Sequence, residues 1–285
     1  MIKKNILILD DDPDFANSLK EKLIKTRAIN RIFDINSSKG ILKKSIYLLE
    51  ERRRSARDNL KTGTFDDTEE IDNADILIID YDLIEVDSSI TGEYLSYLCR
   101  CYSQCGLIIA LNQYYLYDET FDLSLNQHPE SYADLNIPSK SISNPGLWID
   151  KWDEFRPWSW PMLPSAMEKF ERRAKALINN LDTPIFNYLK LSEFENVVLS
   201  RRAIEFISKS GLKEIDEITF RDFINPRISG NGLLGKDKSY SEEAAARLVG
   251  ARIGKWLDGI VLPEQDVLVD APNLISRYPS VVNKT

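Results

Sequence analysis

Two short apolar runs in this chain each end in acids. Asn5-Ile6-Leu7-Ile8-Leu9 leads directly into Asp10-Asp11-Asp12-Pro13. Ala74-Asp75-Ile76-Leu77-Ile78-Ile79 leads directly into Asp80-Tyr81-Asp82. Runs of this length that are apolar throughout suit the interior of a parallel sheet covered on both faces. In open α/β sheets, ligands bind beyond the carboxyl ends of the strands. Side by side, the two strands bring Asp10, Asp11 and Asp80 to one small pocket. Three carboxylates so placed repel one another unless a cation sits among them. All-oxygen ligands favour a hard cation, and Mg²⁺ takes one or two carboxylates while keeping waters. The competing reading is that strand-terminal Asp residues only cap turns and helices.

The intervening segments supply the elements such a pocket needs. Asp12 is a good N-cap and Pro13 a good first helical residue, and Phe15, Leu19, Leu23 and Ile24 follow at helical spacing. Arg31 to Ile35 reads as a second strand. Ser38 to Lys61 reads as a long helix, with Ile41, Leu42, Ser45, Ile46, Leu48 and Leu49 on one side. Its second half is charged all round, as a solvated extension would be, and runs into a polar loop from Thr62 to Asp72. Thr91-Gly92-Glu93 opens a further amphipathic helix that Gly106 stops. Leu107 to Leu111 and Ser131 to Ile137 complete five strands. The expected fold is α/β, a doubly wound five-stranded parallel sheet.

The motifs Ile-Leu-Ile-Leu-Asp-Asp-Asp-Pro and Asp-Ile-Leu-Ile-Ile-Asp-Tyr-Asp-Leu together resemble the receiver domain of two-component response regulators. The resemblance implies a receiver (flavodoxin-like) fold, Mg²⁺ held by Asp10, Asp11 and Asp80, and Asp80 as acceptor of a phosphoryl group. It also implies a Lys after the fifth strand that pairs with the phosphate, and Lys140 is the candidate. Gly92-Glu93 matches the start of the family's third helix. Receivers carry a Ser or Thr at the end of the fourth strand. Here the position falls on Ala110, Leu111 or Asn112, and Asn112 offers an amide in place of the hydroxyl. The resemblance places a receiver-like domain over residues 1–181, with insertions at about 38–72 and 145–163. Residues 184–285 form a second, mostly helical domain, joined at a hinge of Asp182-Thr183-Pro184.

Four of the five tryptophans fall between Trp148 and Trp160. That segment reads as large rings buried at a junction, or as a surface that docks a protein partner. Helices are expected over Pro164 to Leu181, Leu191 to Ser208 and Ser241 to Leu257. Gly230 to Asp237 is similar to a phosphate loop, but Asp237 replaces its metal-binding hydroxyl and no buried strand precedes it, so a plain glycine loop is the working reading. Cys99, Cys101 and Cys105 read as buried thiols of a reducing compartment. A Cys₃His site would need His128, the one histidine.

With 45 acidic against 37 basic residues the net charge is −8, and neither the first 181 residues nor the rest carries a basic excess, which argues against nucleic acid as a partner. No apolar run approaches the ~20 residues that span a bilayer, and three Asp residues cut off any leader-like N-terminal run. A cytoplasmic location follows as the default. The expectation is a signalling protein phosphorylated on Asp80, with a histidine kinase or another signalling protein as partner. Enzyme activity beyond accepting and losing that phosphoryl group is not expected. One rival is a pseudo-receiver scaffold that docks a partner without phosphorylation. Another is an enzyme whose site, drawn from Glu242, Arg247, Asp270 and Arg277, lies in the C-terminal part.

Overall fold

The computed structural model describes residues 3–38, 40–59, 69–83, 90–112, 131–149, 161–191, 199–207, 214–224 and 242–261. Five strands form one sheet: β1 (Lys4–Leu9), β2 (Phe33–Asn36), β3 (Ile76–Asp80), β4 (Leu107–Asn112) and β5 (Leu135–Pro138). All pairings are parallel and the order is β2-β1-β3-β4-β5. The fold is thus α/β with an all-parallel sheet. Nine helices accompany the strands among the described residues: α1 (Pro13–Lys25), α2 (Arg27–Ile32), α3 (Ile41–Asn59), α4 (Gly92–Tyr102), α5 (Leu163–Leu177), α6 (Ile185–Tyr188), α7 (Arg201–Ile207), α8 (Phe220–Ile224) and α9 (Glu242–Trp256). Among the described residues, no helix is long and apolar enough to cross a membrane.

The three central strands are apolar over Ile6 to Leu9, Ile76 to Ile79 and Leu107 to Leu111 because both faces are covered there. Ile6, Ile8, Ile76, Ile78, Ile109 and Leu111 pack with Leu19 and Leu23 of α1 and with Met167 and Phe170 of α5. Their neighbours Leu7, Leu9, Leu77, Ile79, Ile108 and Ala110 point the other way, into a cluster with α3 and α4. Full burial of each such side chain contributes about 1.5–3 kcal/mol.

The second cluster extends into the C-terminal helices. Ala203, Phe206, Phe223, Leu248, Val249 and Trp256 belong to it. So do Leu177 and Leu181, before the expected domain boundary, and Ile185 just after it. Around the expected hinge, the Arg221 N–H donates to Leu181 O at 2.8 Å, and the Ile185 N–H to Ile218 O at 2.9 Å. Arg221 also pairs with Asp182 at 2.7 Å.

Several boundaries differ from the sequence reading, each for a local reason. β2 starts at Phe33 because Thr26 O accepts from the N–H groups of Ile29 and Asn30, winding Arg27–Ile32 into α2. β5 starts only at Leu135. Before it, the Ser131 hydroxyl and Tyr132 N–H donate to Glu93, and although the Asp134 N–H donates to Ile108 O at 2.8 Å, the Ile108 N–H donates to the Asp134 carboxylate at 2.7 Å in place of a backbone carbonyl. α7 starts at Arg201, after Ser200, whose hydroxyl accepts from the Ala203 N–H at 3.1 Å. The charged half of α3 is not all solvated: Arg52 reaches in to a buried Asp72. Trp148 is 2% exposed, donates from Nε1 to Ile142 O at 2.7 Å and meets Phe33 edge-on. It is a core residue, whereas Trp152, Trp158 and Trp160 lie outside the described residues. The glycine loop at 230–237 and His128 lie outside them too.

Candidate metal centre

Register carries the three acids together. β1 and β3 are adjacent, with Leu9 opposite Ile79, so Asp10 follows β1 beside Asp80, the last residue of β3. One oxygen from each of Asp10, Asp11 and Asp80 can be chosen so that all lie within 4.8 Å of one another. No other cluster of metal-ligating residues of this kind occurs among the described residues. Asp80 is 1% exposed, and Asp10 and Asp11 are half-buried.

Local structure fixes the geometry. Asp12 caps α1, its carboxylate accepting from the N–H groups of Asp14 at 2.9 Å and Phe15 at 3.2 Å. The Asp12 N–H in turn donates to Asp10 Oδ1 at 2.9 Å. Helix and turn capping therefore account for Asp12 and for Asp10 Oδ1, but not for Asp10 Oδ2. Asp10 Oδ2 is buried with no hydrogen-bond partner. Burial pushes the Asp10 carboxyl up to about 7; the Asp12 N–H opposes this, and the charges of Asp80, Asp11 and Asp12 add to it. A buried acceptor without a donor, next to two more carboxylates, fits a cation. The donor set is oxygen only, which suits a hard divalent ion.

The other expected site residues stand at the same end of the sheet. Asn112 ends β4, one residue beyond Leu111, which pairs with Asp80. Its carbonyl accepts from the Ser139 N–H at 3.1 Å. Lys140 is exposed, in the turn that follows β5. The C-terminal constellation is not assembled among the described residues. Glu242 pairs with Arg221 at 3.0 Å, while Arg247 is engaged elsewhere, donating to Cys105 O with its guanidinium over Phe170. Asp270 and Arg277 lie outside the described residues. Cys99, Cys101 and Cys105 are buried free thiols, and burial raises the pKa of Cys99 and Cys105.

Two features of the site were not read from sequence. Gly92 packs against the backbone of Asp80 and Tyr81. A cavity also opens beside Asp10 and Asp11, lined by Ser37, Ser38 and Gly40. The signal for it was present: a hydroxyl- and glycine-containing turn between a strand and a long helix.

No protein-family model, no curated protein and no solved structure matches the chain.

Proposed function

We propose that the chain is a two-component-type signalling protein whose receiver-like domain accepts a phosphoryl group on Asp80. The observation that carries this reading is the convergence of Asp10, Asp11 and Asp80 at the ends of adjacent parallel strands, with Asp10 Oδ2 buried and unpartnered. The strand order β2-β1-β3-β4-β5 also supports it, because flavodoxin-like receivers share that order. The cation is Mg²⁺, which when bound neutralises charge on a transferring phosphoryl group. Asp10 and Asp11 would hold it, with Asp80. An Asp80 oxygen attacks the phosphorus of a phosphohistidine or small acyl phosphate, and the leaving group departs with the bonding electron pair. The Asn112 amide donates a hydrogen bond to the product, and the Lys140 ammonium pairs with it as a point charge. The donor in the cell is a histidine kinase or a related cytoplasmic signalling protein. The C-terminal helices, read as a second domain, receive the signal.

A second reading has a specific observation behind it. Asn112, and not a small hydroxyl residue, ends β4. Without that hydroxyl the switch is broken, and the domain serves as a pseudo-receiver scaffold that docks a protein partner.

One experiment separates the two. The protein and its Asp80→Asn variant are incubated with Mg²⁺ and acetyl phosphate, or with beryllofluoride. Phosphotransfer predicts a phosphoryl mass increment and a beryllofluoride-dependent spectral change in the wild type only. Mg²⁺ binding without either response supports the scaffold. Absence of Mg²⁺ binding removes the basis of the phosphoacceptor reading.

A further inference from the structure

The acid pair has a second neighbour, on the side away from Asp80. A cavity of about 450 Å³ opens between the turn after β1 and the turn before α3. Asp10 and Asp11 form one wall; Ser37, Ser38, Gly40 and Lys43 form the other. Asp80 does not line it, and β2 lies on the opposite side of β1 from β3. This space is therefore distinct from the phosphoacceptor position. Its size falls in the range of small-molecule sites.

We propose that this cavity binds the phosphate of a small phosphorylated metabolite, clamped between a divalent cation on Asp10 and Asp11 and the opening turn of α3. The proposal rests on the reading of the acids as a cation site. Three observations carry it. Asp10 and Asp11 both line the cavity, so a cation held by this pair sits at the cavity wall. Hard divalent ions held by few carboxylates keep open positions that phosphate oxygens fill. Facing the acids is the start of a 19-residue helix, whose dipole favours an anion although the Ile41 N–H already donates to Ser38 O at 3.1 Å. Gly40, at φ +90, has nothing within 4 Å of where a Cβ would stand, so no side chain separates this backbone from a ligand. Finally, the charge at the rim is uncommitted. Lys43 is exposed and makes no hydrogen bond or ion pair among the described residues, while Lys44 is held by Glu69 at 2.9 Å.

The acids on one wall repel a bare anion, whereas a cation held on them and the positive helix end on the other wall present two positive faces to a phosphate. Together the two walls accept a metal–phosphate pair. Binding of the phosphate compound is thus strictly cation-dependent.

The test is calorimetry on the full chain. Mg²⁺ is titrated alone. Inorganic phosphate, ribose 5-phosphate and adenosine 5′-monophosphate are then titrated in saturating Mg²⁺ and again in EDTA, with ribose and adenosine as controls. The expected result is that at least one phosphate compound binds in Mg²⁺, none binds in EDTA and neither control binds. Lys43→Glu, an exposed change whose fold is checked by circular dichroism, should weaken that binding by about tenfold or more without lowering Mg²⁺ affinity. Mg²⁺ binding with no phosphate response overturns the cavity proposal alone, as does phosphate binding that Lys43→Glu does not alter. Failure of Mg²⁺ itself to bind overturns the cation reading and the cavity proposal together.

Discussion

Gly92 lies directly against the backbone of Asp80. Its N–H donates to Tyr81 O at 2.9 Å. A Cβ at this position would stand 2.3 Å from the Asp80 carbonyl oxygen and 2.6 Å from the Tyr81 Cα. α4 therefore closes over the end of β3 with no room for a side chain, and that close approach sets where the Asp80 carboxylate is presented.

Gly92→Ala meets backbone atoms, which no rotamer change can relieve. The expected cost is about 1–3 kcal/mol of stability, together with weaker Mg²⁺ binding as Asp80 is displaced. Denaturant unfolding and a Mg²⁺ titration measure the two effects. A variant that keeps both would show that the turn has slack.

Asp10→Asn removes one of three crowded negative charges and can offer a donor where Asp10 now has an unpartnered oxygen. In EDTA the variant should melt at a higher temperature than the wild type. In Mg²⁺ the order should reverse, because only the wild type gains from the ion. Paired thermal melts with and without Mg²⁺ check this, and a wild type indifferent to Mg²⁺ would contradict it.

Arg52 grips Asp72 with two bonds of 3.0 and 2.7 Å, and Asp72 also accepts from the Gln104 N–H at 2.9 Å. The Asp72 side chain is fully buried. Arg52→Ala strands that charge and should cost about 3 kcal/mol. The double change Arg52→Met and Asp72→Asn keeps an acceptor for Gln104 without the charge, and should be the milder of the two. Urea denaturation compares them.

Lys255 supplies a pH dependence. The residue is half-buried, but its amino group is enclosed and donates to Ser131 O. Burial lowers its pKa from the ordinary 10.5 to about 8; Asp134 and Glu93 oppose the shift, and Arg100 and Arg252 reinforce it. In the folded state the proton is lost near pH 8, whereas in the unfolded chain it is kept to about 10.5. The unfolded state then binds more protons, so this group's contribution to stability rises with pH across that window. Buried tyrosines and thiols with raised pKa work the other way at the upper end. The difference between wild type and Lys255→Met isolates the lysine. That difference should shift in favour of wild type from pH 8 to 10, and a flat difference would contradict the assignment.

Much of the sheet was legible in the chain. Apart from Asp80 at the end of β3, the buried positions of β1, β3 and β4 are apolar because both faces are covered, and this pattern needs no knowledge of partners. Asp12 and Pro13 announced α1, since a cap and a first-turn proline act locally. The acids at the ends of β1 and β3 were likewise visible, and adjacency in a parallel sheet was enough to bring them together. The ends of β2, β5 and α7 were not legible. They are set by Thr26, Asp134 and Ser200, whose competing hydrogen bonds resemble ordinary loop residues in sequence.

What the sequence by itself determined is the alternation of strand and helix and the identity of the three acids, because burial period and end-capping are written residue by residue. What only the tertiary structure decided is which distant groups meet. It packed C-terminal residues such as Trp256 on the same face as Leu77, laid Gly92 on Asp80, and opened the cavity between Asp10 and Gly40. These depend on how whole elements stack in three dimensions, and no local spacing encodes that.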